Sequence, residues 1–181
     1  MPQRSRVMSD EQETPSPLTL GETDEVIEIE DGATLNDLSL RMAQQGSRFV
    51  DIVSRHLDPP VYDTDDFALA LKRLALSSKR ARIRIMVIDA RPLITSGHRL
   101  IELASRLPSF IEIRAPGRQH RGFNEALLLV DNTGYIQRQF SDHFAGQANF
   151  SDRRVGASMR ERINDMWERG VPETRFRRLH I

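Results

Sequence analysis

Apolar residues along this chain recur with two periods, and the switches between them mark out its elements. Leu35, Leu38 and Met42 fall at i, i+3 and i+7 behind Thr34 as N-cap, with Gly46 as the C′ residue, which predicts a helix over 34–45. Phe49, Val50, Ile52 and Val53 make 47–54 apolar and β-branched, a strand that His56-Leu-Asp-Pro-Pro60 breaks. Asp63 or Thr64 then caps a helix over 65–77, whose core face is Phe67, Ala70, Leu71 and Leu74. Arg82 to Ile88 alternates at its start and becomes wholly apolar, as a strand entering a covered sheet does. Arg91-Pro92 and Thr95-Ser96-Gly97 read as a connection to a helix over 97–107, which Pro108 stops. Phe110 to Arg114 alternates as a half-exposed strand, and 115–122 is a basic loop.

The stretch from Glu125 to Ser151 is the one around which the chain is organised. Ala126 to Val130 is apolar on both faces and predicts a central strand, Asn132-Thr-Gly134 a hairpin turn, and 135–140 its return strand. Gly146-Gln-Ala-Asn149-Phe-Ser reads as a polar loop of small residues. A last helix over 153–168 turns Val155, Met159, Ile163, Met166 and Trp167 inward, Gly170-Val-Pro172 ends it, and a basic tail runs from Arg175. The order β-α-β-α-β-β-β-α predicts one α/β domain with a mixed β-sheet flanked by helices. Strands joined by crossover helices should be parallel, and the late hairpin antiparallel.

Composition changes this picture in three places. With 181 residues and 39% hydrophobic content the chain supports one sizeable core, and it holds no cysteine, so disulfide and thiolate chemistry are excluded. No apolar run approaches the length of a membrane span and the N-terminus has no signal-like apolar region, so the cytoplasm is the default expectation. The net charge of zero hides an asymmetry: residues 1–32 carry nine acids against Arg4 and Arg6, a net of −7, and the remainder carries +7. Few aliphatic residues interrupt that acidic leader, so 1–32 are expected to be disordered and 33–181 to form the domain. The run Val26 to Glu30 alternates weakly, a pattern open to an edge strand but not assigned one.

The frame around Asp131 supports a resemblance. A strand ending apolar-apolar-Val-Asp, a second strand, Gly-x-Ala-Asn-Phe, and a helix ending near Trp-Glu resemble one half of the phospholipase D superfamily, over residues 47–170. Within it the chain is most similar to a small proteobacterial family of unknown function. The superfamily motif is His-x-Lys, four residues, Asp, then Gly-Ser-x-Asn. Its His attacks phosphorus, its Lys neutralises phosphoryl oxygens, and its Asn helps to hold them. With Asp131 fixing the frame, the His position is Asn124 and the Lys position Ala126. Gly146 and Asn149 match, Gln147 replaces the Ser, and the loop from Asp131 to Gly146 is longer than usual.

A carboxamide cannot form a phosphoramidate and Ala126 carries no charge, so the resemblance implies a domain that has lost the ancestral reaction. It would bind an anionic, phosphate-bearing ligand, nucleic acid or a protein partner through Arg118, His120, Arg121, Arg138, His143, Arg153 and Arg154, with no cofactor. A phosphodiester hydrolase or nuclease that recruits His120 or His143 is the alternative. A regulatory module whose acidic leader masks a basic face is a third. Superfamily sites form where two halves meet, which implies a homodimer. Asp63, Asp65 and Asp66 favour helix capping over metal binding, and the five histidines have no metal-ligand spacing. Arg153-Arg-Val-Gly156-Ala-Ser158 only faintly resembles a phosphate loop, and no Gly-x-Ser-x-Gly elbow is present.

Overall fold

In the computed structural model, residues 17–176 are described. The elements are β1 (Ile27–Ile29), α1 (Gly32–Gln45), β2 (Phe49–Ser54), α2 (Pro59–Tyr62), α3 (Asp65–Ser77), β3 (Arg82–Val87), α4 (Arg91–Ser96) and α5 (Arg99–Arg106). Beyond α5 come β4 (Ile111–Ala115), a single 3-10 turn at Arg118–His120, β5 (Ala126–Val130), β6 (Gly134–Arg138), β7 (Gly146–Asn149), α6 (Arg153–Arg169) and β8 (Val171–Pro172). The strands form one mixed sheet in the order β1-β7-β6-β5-β2-β3-β4-β8. β2, β3 and β4 are parallel, and every other pairing is antiparallel.

Alternation along the strands assigns the two faces. Val50, Ile52, Ile83, Ile85, Leu128, Val130 and Ile136 point to the layer of α1, α2, α3 and α5. Val53, Met86, Leu127, Leu129 and Tyr135 point the other way, onto Met159, Ile163, Met166 and Trp167 of α6. One helix covers the second face, so the charged positions of β3 and β4 lie beside it. β5 is apolar on both faces because it lies under helices on both sides.

Several expectations are corrected. The acidic leader is not one segment: Ile27–Ile29 pairs with β7, and Leu18 and Leu20 pack on the core. Residues 1–16 lie outside the described residues. Six of the nine leader acids are in the folded part, where Asp24 accepts from Asn149, Glu28 from Gln147, and Asp31 from the Thr34 N–H. Asp31, not Thr34, is thus the cap of α1. Gly46 is extended rather than left-handed; a Cβ there would lie 2.8 Å from Leu74 and 2.9 Å from Val130, so close packing requires the glycine. The expected loop at 146–149 is β7, whose small residues fit between β6 and β1. The connection at 91–97 contains α4, and the basic tail beyond Phe176 lies outside the described residues.

His98 is buried at the N-cap of α5. Its Nδ1 accepts the Leu100 N–H at 3.1 Å, so Nε2 carries the proton and donates to the Leu57 carbonyl at 3.0 Å. Burial, above all, pulls its pKa below the ordinary value, partly offset by Asp63. The unfolded chain therefore binds the extra proton first as pH falls below about 6.5, and folding stability falls with it. Urea unfolding between pH 7.5 and pH 5 should show that decline in the wild type and a flatter one in His98→Asn.

Candidate functional site

The topology marks one end of the sheet. From β2 the chain crosses to β3 and β4 on one side, then returns with β5 on the other side of β2. A crevice outside the carboxyl ends of parallel strands forms at such a reversal. β5 runs antiparallel to β2, so the residues preceding it share this end with those following β2 and β3. Arg55, Asn124 and Ser141 meet there. Ser141 donates to the Asn124 side-chain oxygen at 3.0 Å, and Arg55 reaches Ser141 at 3.3 Å and Asn124 at 3.5 Å. Among the described residues no carboxylate pairs with Arg55. Beside them, half-buried His56 has Nδ1 3.2 Å from the Asp89 carbonyl. The Arg91 guanidinium, bonded at 2.7 and 2.8 Å, holds the Asp89 carboxyl far below the usual range.

Of the motif positions, Asn124, Ala126 and Gly146 lie towards this end, whereas Asp131 and Asn149 lie towards the other. Ala126 is buried on β5 with Arg138 directly opposite on β6. Arg138, expected on a groove rim, is only 2% exposed: it donates to Asp58 and, at 2.9 Å, to the His143 carbonyl. Its charge is neutralised inside the fold, because an unpaired buried guanidinium costs too much. Asp131 is at the far end of β5. It accepts from Ser47 N at 2.7 Å, Ser47 Oγ at 2.9 Å, and Arg48 N and Phe49 N at 2.8 Å each. Its φ of 50° and that of Asn132 at 60°, with Thr133 N donating to Val130 O, form the hairpin turn. Asn149 pairs with Tyr135, also towards that far end, and is occupied by Asp24 and the Ser151 N–H. Gly146 starts β7 near the Arg138 end, and the Gln147 side chain donates to Glu28.

The loop cations are scattered too. Arg118 and Arg121 are exposed after β4, and His120 Nε2 lies 3.2 Å from Asp165 on α6. The His143 ring is exposed beside Phe140, 5.9 Å between centroids. Neither histidine bonds to Asn124. Arg153 and Arg154 open α6, whose 17 residues extend about 25 Å to the end where Gly170 abuts Ala115. They therefore stand at the opposite end from Arg118 and Arg121. A Cβ at Gly156 would be 2.3 Å from the Asn132 carbonyl, so that glycine packs against the hairpin and leaves no phosphate cradle. Asp63 and Asp65 bind Arg99 across two helix starts.

The family model for a domain of unknown function, DUF7931, matches residues 32–179. The chain belongs to this DUF7931 family. No curated protein matches it. Solved structures share its fold: TrmBL2, an archaeal chromatin protein whose structure shows a novel mode of DNA binding, has a TM-score of 0.60 at 17% identity. That match covers 81% of this chain and 52% of the other, so the DUF7931 chain spans about half of TrmBL2. Nuc from Salmonella typhimurium, a phospholipase D family member, has a TM-score of 0.56 at 16% identity over 82% of this chain and 97% of its own. NucT from Helicobacter pylori gives 0.58 at 11% identity, over 82% and 98%. The fold is phospholipase D-like.

Sequence reasoning named Asn124 in the DUF7931 chain but missed Arg55, His56 and Ser141 as its neighbours. One signal was available: Arg55-His56 directly follows the first β-branched run, where the carboxyl end of a parallel strand must lie. The Asp131 geometry gives a stability prediction. Asp131→Ala removes the acceptor of three backbone N–H groups and should cost about 2–3 kcal/mol in urea unfolding. Asp131→Asn keeps the turn conformation and one acceptor oxygen and should cost less.

Proposed function

We propose that this domain binds a phosphate-bearing ligand at the carboxyl ends of β2 and β3 without cleaving it. The observation that carries the reading is Arg55 beside Asn124 and Ser141, a cation without a carboxylate partner among the described residues. A guanidinium and neutral hydrogen-bonding groups suit phosphate oxygens. The same place offers no nucleophile at Asn124 and no charge at Ala126. On this reading the degenerate His-Lys-Asp motif of a proteobacterial relative survives for its structural work, since Asp131 and Asn149 are saturated by the fold. The DNA binding of TrmBL2 makes single-stranded nucleic acid a reasonable first probe. A homodimer that brings two such ends together, in the cytoplasm, belongs to the same proposal.

One observation favours hydrolysis instead. If His56 Nδ1 carries its proton towards the Asp89 carbonyl, Nε2 keeps a lone pair at the same end of the sheet. His56 thereby replaces His120 and His143 as the residue on which a phosphodiesterase reading rests.

Binding of a labelled single-stranded oligonucleotide at low salt should weaken with rising salt. It should weaken about tenfold in Arg55→Ala, the loss of one charge-assisted contact. Equal binding by that variant would contradict the proposal. Bis(p-nitrophenyl) phosphate should remain intact over hours, whereas turnover that His56→Asn abolishes would establish the hydrolytic reading.

A further inference from the structure

The opposite end of the molecule holds a cationic cavity that shares no residue with the carboxyl-end site. It has a volume of about 340 Å³ and lies at the amino-terminal ends of β2, β3 and β4, between the sheet and α6. Phe49, Arg82, Arg84, Glu112, Arg160 and Trp167 line it. The alternation of Arg-Ile-Arg-Ile in β3 and Ile-Glu-Ile-Arg in β4 puts every charged side chain on the α6 face. α6 leaves this corner of the sheet uncovered.

Its charges do not balance. Asp51, 2% exposed, lies behind the cavity as the sole carboxylate partner of two guanidiniums among the described residues. Arg84 holds it at 2.6 and 2.9 Å and also bonds Asn164 at 3.0 Å. Arg160 Nη1 bonds Asp51 at 3.1 Å and Asn132 at 2.9 Å. Among the described residues nothing accepts from Arg160 Nε or Nη2, or from Arg84 Nη1. Glu112 is turned to Arg114 at 2.7 Å. Arg82 is anchored by the Lys79 and Ala81 carbonyls at 3.0 and 2.7 Å. Three guanidiniums, Arg82, Arg84 and Arg160, thus face the cavity with Asp51 behind it, and Glu112 is matched by Arg114 outside the lining, which leaves an excess of two positive charges. Burial, above all, pulls the pKa of Arg160 below its ordinary value, with Asp51 opposing it and Arg84 adding to it.

We propose that this cavity is a second anion site, built for a phosphate dianion either free or as the head of a small monoester. The charge excess matches the roughly −1.5 to −2 of a phosphomonoester near pH 7. Planar guanidiniums fixed by Asp51 and backbone carbonyls present their remaining N–H groups without further ordering. The cavity is also within the size range of small-ligand sites, roughly 300–1,000 Å³.

Trp167 is the only tryptophan in the chain and lines the cavity, so its fluorescence reads occupancy. The intact protein is titrated with inorganic phosphate and with ribose 5-phosphate, against ribose and against sodium chloride at matched ionic strength. A saturable change with the phosphate compounds alone is expected. Tighter binding of ribose 5-phosphate identifies a monoester site, and equal binding identifies the free ion as the ligand. The dissociation constant should rise about tenfold in Arg160→Gln and in the surface variant Arg82→Gln, and stay unchanged in Arg55→Ala. A response equal with chloride, one retained in the folded Arg82→Gln protein, or one lost in Arg55→Ala would overturn the assignment.

Discussion

The Asp131 carboxylate is the constraint on which the rest of the arrangement depends. It gathers four donors from Ser47, Arg48 and Phe49, where the segment after α1 enters β2, and its own N–H donates to the Phe49 carbonyl. These bonds lock the start of β2 against the end of β5, and so fix the antiparallel register Val50↔Val130 to Val53↔Leu127. That register decides which residues meet at the other end of the two strands. Arg55 lies beside Asn124 because Asp131 lies beside Phe49. The side chain that frames the superfamily resemblance thus acts through the length of the sheet, by positioning rather than by chemistry.

Charge placement obeys the same economy. Guanidiniums taken into the fold meet carboxylates, Arg138 that of Asp58 alone, while Arg84 and Arg160 share the one carboxylate of Asp51. Each pair ties together elements distant in sequence, and loss of one partner would strand a charge in a poorly solvated place. Against this background the cations with incomplete matching stand out, at Arg55 on the carboxyl end and at Arg82 and Arg160 on the amino end. The molecule therefore carries two cationic regions at opposite ends of one sheet, and its acidic edge at β1 lies apart from the sequence of either.

Much of the fold was legible in the sequence because periodicity reports burial. The α3 boundaries, the parallel β3, the apolar β5 and the inner face of α6 all follow from patterns over five or more residues. β1 and β7 were not legible. β1 alternates over only three residues, Ile27-Glu-Ile29, and the small and polar side chains of β7 contribute little apolar patterning, so only pairing with neighbours makes them strands. The site was legible only in its frame. Asn124 and Ala126 could be placed by spacing from Asp131, but Arg138 and the arginines of α6 could not be oriented without the sheet register. Spacing in sequence does not report that residues 153 and 121 lie at opposite ends of a helix.

The central claim is that the carboxyl-end site holds phosphate chemistry without performing it. Amide and arginine Nε–H NMR shifts, followed while the protein is titrated with a thymidine dinucleotide, test it most directly. The account predicts saturable shifts at Arg55, Asn124 and Ser141 and an intact dinucleotide after prolonged incubation. Cleavage of its phosphodiester, or shifts that leave Arg55 and Asn124 untouched, would contradict it.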